Sequence, residues 1–303
     1  MNPIKMLDVS LRDGGHRTNF HFTDSELCEI LTPLDNSGIE YIEIGYRNGA
    51  LNPIDKLGRA GICDKEYLLQ CKTLIKTAKI AVMAHPQNIT ERDIIELKEC
   101  GVELLRICVI KGNLEKALPI IGLAKKMELA VSVNFVHLSY YTHAELEEAV
   151  EIVSEYQPTM IYFADSNGSL LPAAVNEICK KYTYRNSLLV GFHAHDNLGL
   201  AQANALAAME AGVHFIDASL AGMGKGVGNL KIEFFTAYLQ AINSKKYNLE
   251  KIVKAANYVR NNLKIGTEML EMDEFIRGIS DFSTADLKAF KQRHLTIKGK
   301  ELC

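Results

Sequence analysis

The chain has 303 residues, 48% of them hydrophobic, with 34 Lys and Arg against 37 Asp and Glu and a formal net charge of −3. This is enough apolar material for one domain of roughly 250 residues plus an extension. The charge balance offers no basic surplus for nucleic acid or an anionic lipid surface, and no apolar run approaches the ~18 residues of a membrane span.

The opening MNPIKMLDVSLRD lacks the basic and apolar regions of a signal peptide. Cys28, Cys63, Cys71, Cys100, Cys108, Cys179 and Cys303 are odd in number and contain no C-x-x-C pair. Free buried thiols and a cytoplasmic location are expected, without a disulfide framework or structural zinc. Short β-branched or apolar runs then predict strands near 5–10, 41–46, 80–84, 104–110, 130–136, 160–164, 189–194 and 215–219. Helical stretches separate them. Thr23 with Glu26, and Thr142 with Glu145, have the spacing of capping boxes, and Thr90 reads as a simpler N-cap. Gly38, Gly101 and Gly212 each stand between a helix and an apolar run, where the chain needs a left-handed residue.

Repeated junctions of this kind predict a parallel sheet with helical crossovers. Eight units in about 240 residues suit a closed α/β architecture, a (β/α)8 TIM barrel, better than an open doubly wound sheet. No G-x-G-x-x-G follows the first strand to support the open form. Residues 1–245 are expected to form the TIM-barrel catalytic domain and 246–303 a short C-terminal helical extension. Helices are predicted over 249–264 and 284–292, with DEFIRGISDFSTAD between them. That tail is expected to pack on the barrel or to form an interface.

In such a barrel the chemistry sits at the C-terminal ends of the strands. Strand 7 reads Gly-Phe-His193-Ala-His195, and side chains alternate along a strand, so both imidazoles face the same way. Two imidazoles and one carboxylate can hold a divalent ion and leave positions open for substrate. Asp13 is the best third ligand, because strand 1 is only one strand removed from strand 7 in a closed barrel. Glu43 on strand 2 is a further candidate. Arg12 could clamp a substrate carboxylate or steady an enolate oxygen; the alternative is a structural ion pair with Glu43. His16, on a Gly-rich turn, suits acid/base work near neutral pH. The strand 8 loop, Gly222 to Asn229, could bring amides to an anion, with Asn229 read as the cap of the next helix. Lys111 and Lys225 read as solvated loop lysines, and His85 and His137 as satisfied groups beside the pocket. No lysine in MIYFADSNG supports a Schiff base, and no G-x-S-x-G elbow supports a serine nucleophile.

LDVSLRDGGH, YIEIGY, YFADSNG, GFHAHDNLGLAQANALAAMEAG and IDASLAGMGKGVGN together resemble the DRE-TIM metallolyases (HMGL-like) over about residues 5–243. Within that superfamily the chain looks most like the pyruvate-forming 4-hydroxy-2-oxovalerate aldolases. The resemblance implies Mn2+ or Mg2+ on Asp13, His193 and His195, an enolate-stabilising Arg12, and His16 as acid/base. It implies a substrate-carboxylate site near Ser166 and an approach of Asn229 to the metal. The implied reaction joins or splits a 2-oxo acid, pyruvate, and an aldehyde through a 4-hydroxy-2-oxo acid. A Claisen-type condensation of an acyl-CoA with a 2-oxo acid is the alternative, but those relatives carry Glu-Gln where this chain has Gly15-His16. A barrel kept only as a scaffold is a third reading, against which the intact ligand set argues. A homo-oligomer, in the simplest case a dimer, is expected. The resemblance also implies an acylating aldehyde dehydrogenase partner and a catalytic tyrosine from the C-terminal domain, for which Tyr258 is the candidate. The tail is shorter than that domain, which weighs against the partner.

Overall fold

A computed structural model describes residues 4–185, 188–268 and 272–298. Eight strands alternate with helices in chain order: β1 (Lys5–Asp8), α1 (Asp24–Asp35), β2 (Tyr41–Tyr46), α2 (Arg59–Ile62), α3 (Lys65–Leu74), β3 (Lys79–Ala84), α4 (Glu91–Glu99), β4 (Leu104–Val109), α5 (Leu114–Lys126), β5 (Ala130–Phe135), α6 (His143–Glu155), β6 (Met160–Asp165), α7 (Pro172–Arg185), β7 (Leu189–Ala194), α8 (Ala201–Glu210), β8 (Phe215–Ala218) and α9 (Ile232–Ala241). Then follow α10 (Leu249–Tyr258), α11 (Met272–Ser280) and α12 (Thr284–Lys298). Each strand pairs in parallel with the next, and β1 pairs with β8, so the sheet is a closed eight-stranded barrel. The open sheet is excluded.

Alternation along the strands sorts the side chains. In β4, Leu105, Ile107 and Val109 belong to the core between sheet and helices, whereas Leu104 joins Leu7, Val9, Tyr41, Met160 and Phe215 in the separate cluster inside the barrel. The inner positions further along β4 are the buried, charged Arg106 and then Cys108, which lines the cavity at the mouth. Gly191 leaves room for the Tyr162 ring, since a Cβ there would come within 2.2 Å of it. Thr23 and Thr142 cap their helices through reciprocal boxes as predicted. Gly38, Gly101 and Gly212 have φ of 88°, 85° and 87°, the left-handed geometry expected at those junctions.

Four local readings are corrected. Thr90 is half of a full capping box, because Asp93 returns a bond to its amide. The first strand ends at Asp8, and the amides of Asp13 and Gly14 fold back on the Val9 carbonyl. Arg12 and Asp13 therefore come from a helical turn after the strand. The helix beginning at Leu249 ends at Tyr258 and continues as one π turn, Val259–Leu263. The segment DEFIRGIS, read as a connection, lies mostly in the helix α11.

The helix α10 packs beside α1 and α9 and so extends the outer ring. Beyond it, α11 and α12 lie across the C-terminal mouth. Asn197 donates to Glu274, while Ser139, Asn167 and Ser169 all donate to Asp281. None of the described helices is long and apolar enough to cross a membrane. The six cysteines the structure describes are free, all but Cys28 buried; Cys303 lies outside the described residues.

Candidate metal centre and active site

A cavity of about 560 Å³ opens at the C-terminal mouth, where the strand-following segments meet. Arg12, Asp13, His16, Ser166, His193 and His195 all line it. The donor atoms of Asp13, His193 and His195 lie within 4.8 Å of one another, and all three residues are buried. His195 Nε2 is 3.8 Å from Asp13 Oδ2.

This set fits a divalent cation on two grounds. His193 Nδ1 is 3.1 Å from Asp217 Oδ2, a contact that places the proton on Nδ1 and leaves the Nε2 lone pair free. Arg106, fully buried, bonds Asp217 at 2.7 Å and so keeps that carboxylate charged. Burial opposes ionisation of Asp217, but the Arg106 charge and the His193 contact outweigh it and its pKa falls. The second ground is Asp13: burial again opposes ionisation, yet Arg12, His195, His193 and His16 hold its carboxyl well below the usual range. His195 is pushed down to about 3, chiefly by burial, so at neutral pH it is an unprotonated imidazole, the form that can bind a metal.

Arg12 makes the ion pair with Glu43 named as its alternative role, and it also lines the cavity. Its Nε donates to Glu43 at 2.6 Å and its Nη1 to Asp13 at 2.6 Å. Glu43 is not part of the donor cluster. It is shared by two guanidinium groups, Arg12 and Arg106, which draw its charge away from the ion site. Asn229 does not cap the next helix, which starts after Lys231. Its Nδ2 donates to Asp13 Oδ2 at 2.8 Å, because an antiparallel bridge sets Asn229 beside His195. A Cβ on Gly224 would come within 2.5 Å of that amide, so the glycine is required by close approach.

His16 sits edge-on to Phe20 and near Tyr46, and burial lowers its pKa to about 4 although Asp13 pulls the other way. The imidazole is then neutral at pH 7 and able to accept a proton. Ser166 accepts from the His137 amide at 2.8 Å, leaving its hydroxyl hydrogen free to donate. His85 and His137 also line the cavity, His85 stacked on Tyr46 and His137 on Tyr140.

Two expectations fail here. Lys225 is not a solvated loop residue: it is half-buried and lines the cavity, and its amide points at Asp13 Oδ2. The tight turns of the glycine-rich loop fold it inward. Tyr258 packs against the barrel core and is absent from the cavity lining. What the tail does contribute is the start of α12, where Ser283, Thr284 and Ala285 form part of the wall.

Arg106 and Asp217 are not singled out by motif. A lone charge inside the apolar run Leu-Leu-Arg-Ile-Cys-Val is nonetheless a signal, since a buried arginine needs an acid beside it.

A parallel barrel with acid, base and metal-donor side chains gathered at its C-terminal mouth is the arrangement of a barrel enzyme. The HMGL-like family model matches residues 3–259, and the chain belongs to that family. It is 34% identical over 258 residues to a 4-hydroxy-2-oxovalerate aldolase of Pelotomaculum thermopropionicum, covering 84% of this chain and 75% of that one. It is 29% identical over 292 residues to an oxaloacetate decarboxylase of Mycobacterium tuberculosis, covering 95% and 86%. A solved N-terminal domain from Bacteroides vulgatus superposes with a TM-score of 0.82 at 26% identity, covering 95% of this chain and 96% of that one. Within the family the chain stands among the carbon–carbon lyases.

Proposed function

We propose that the protein is a divalent-metal-dependent aldolase that splits a 4-hydroxy-2-oxo acid into pyruvate and an aldehyde, or joins them. The observation that carries this reading is one cavity lined by the Asp13, His193 and His195 donor set, Arg12 and His16 together. Asp13, His193 and His195 would hold Mn2+ or Mg2+, which supplies a Lewis acid for the 2-oxo group.

His16, neutral at working pH, takes the proton of the 4-hydroxyl. The C3–C4 bonding pair moves into C2–C3 as the aldehyde carbonyl forms and leaves. Arg12 faces the negative charge that develops on the C2 oxygen, its guanidinium held in place by Glu43 and Asp13. Protonation at C3 gives pyruvate. Ser166 offers its hydroxyl hydrogen to the substrate carboxylate, and Asn229 keeps Asp13 oriented.

Pyruvate release from 4-hydroxy-2-oxo acids of varied chain length tests the reading. Activity should vanish on chelation and return with Mn2+ or Mg2+. His16→Ala should lower turnover about 10²–10⁴-fold with metal content intact, and an unchanged rate would remove His16 from the mechanism.

A second reading is favoured by the relative named oxaloacetate decarboxylase. Loss of CO2 from oxaloacetate leaves the same pyruvate enolate but has no 4-hydroxyl proton to remove. His16→Ala should therefore spare decarboxylation while abolishing aldol cleavage. Equal loss of both reactions would show that His16 is not the 4-hydroxyl base.

A further inference from the structure

The cavity has two unlike ends. On the β2, β3 and β4 side Leu51, Ile54, Met83 and Ile110 form an apolar surface beside Asn52 and His85. On the opposite side stand Ser166, His137, Lys225 and the first turn of α12. The polar end holds a lysine with no direct ion pair of its own: among the described residues no hydrogen bond or ion pair engages the Lys225 ammonium. The nearby acids are already committed. Glu274 accepts from Asn197 and Arg277, each at 2.8 Å. Asp13 is taken by Arg12 and Asn229.

Lys225 lines the same cavity as three imidazoles, His16 after β1, His137 after β5 and His195 after β7. A half-buried cation without a partner is costly unless a ligand supplies the anion.

We infer that Lys225 is a substrate-binding residue whose ammonium seats the carboxylate of the 2-oxo acid, leaving the aldehyde half against the apolar wall of Leu51, Ile54 and Ile110. This rests on the aldolase reading only for which molecule turns over. The binding of the acid is tested separately.

Lys225→Met should raise KM for a 4-hydroxy-2-oxo acid by about 10- to 100-fold, with a smaller fall in kcat, and Lys225→Arg should recover most of it. A structural role would not produce charge selectivity, so the deciding measurement is titration calorimetry on the Mn2+-loaded protein. The wild type should prefer pyruvate over its uncharged methyl ester. Lys225→Met should lose that preference by the same factor while binding the ester as before. Should Lys225→Met fail to fold, Lys225→Gln serves in its place. Wild-type affinity for pyruvate in a folded Lys225→Met or Lys225→Gln protein overturns the inference. Absence of pyruvate release from any 4-hydroxy-2-oxo acid would overturn the aldolase reading alone, since the calorimetry needs no turnover.

Discussion

At the scale of single residues, the proposed ion site depends on groups outside its donor set. His193 presents a defined ring nitrogen because Asp217 holds the other one, and Asp217 stays ionised because Arg106 lies against it. Asp217→Asn is therefore expected to weaken Mn2+ binding about 10- to 100-fold with little change in secondary structure. Metal titration followed by circular dichroism checks this, and undiminished affinity would detach Asp217 from the site. The proposed ligands His193 and His195 are legible in the sequence as a like-facing pair because a strand has a period of two. Arg106 shows only as a lone charge in an apolar run, and Asp217, Lys225 and the bond from Asn229 to Asp13 are not legible, because each depends on which strands and loops meet across the barrel.

At the scale of elements, local signals account for the starts of α1, α4 and α6, and α4 shows how they couple to tertiary contacts. Asp93 closes the box with Thr90 and also binds Arg47 and Asn48. Burial opposes its ionisation, but these hydrogen bonds prevail and bring its pKa down to about 2. A depressed pKa stabilises the fold at pH values above the unfolded value, ~3.9, and the benefit is lost as pH falls towards 2. Asp93→Ala should cost ~2 kcal/mol at pH 7, combining a lost cap with an Arg47 left short of a partner. The difference from wild type should shrink at pH 2–3. Denaturant unfolding at both pH values measures it; a deficit that does not depend on pH would exclude the carboxylate as its source. Where sequence reading slipped at this scale, the cause is physical. Val9 and Ser10 continue the run that looks like strand, and the Val9 amide still reaches Ala218 of β8, but the amides of Asp13 and Gly14 turn back on the Val9 carbonyl and end the strand.

At the scale of the molecule, the chain closes one barrel and then returns to cover its mouth. Asp281, at φ 53°, accepts from Ser139, Asn167 and Ser169 and so fastens the α11–α12 connection to the loops after β5 and β6. Asp281→Gly keeps the left-handed backbone and removes all three bonds. Amide exchange in α11 and α12 should then quicken about 10- to 100-fold while the barrel strands keep their protection. Uniform loss of protection would mean that the tail belongs to the barrel's own cooperative unit. Because Ser283–Ala285 wall the cavity, the same variant should raise KM for substrate.

The repeating strand and helix periods, the glycine junctions and the capping residues determine a parallel (β/α)8 barrel by themselves, because each is a local preference of the backbone. The H-x-H spacing likewise determines a pair of like-facing imidazoles. Only the tertiary structure decides that Asp13 and Asn229 meet that pair, that Arg106 lies inside the barrel and that Lys225 turns into the cavity. The same holds for the tail that roofs the site. These juxtapositions come from strand register and loop path in three dimensions, which residue spacing along one chain does not encode.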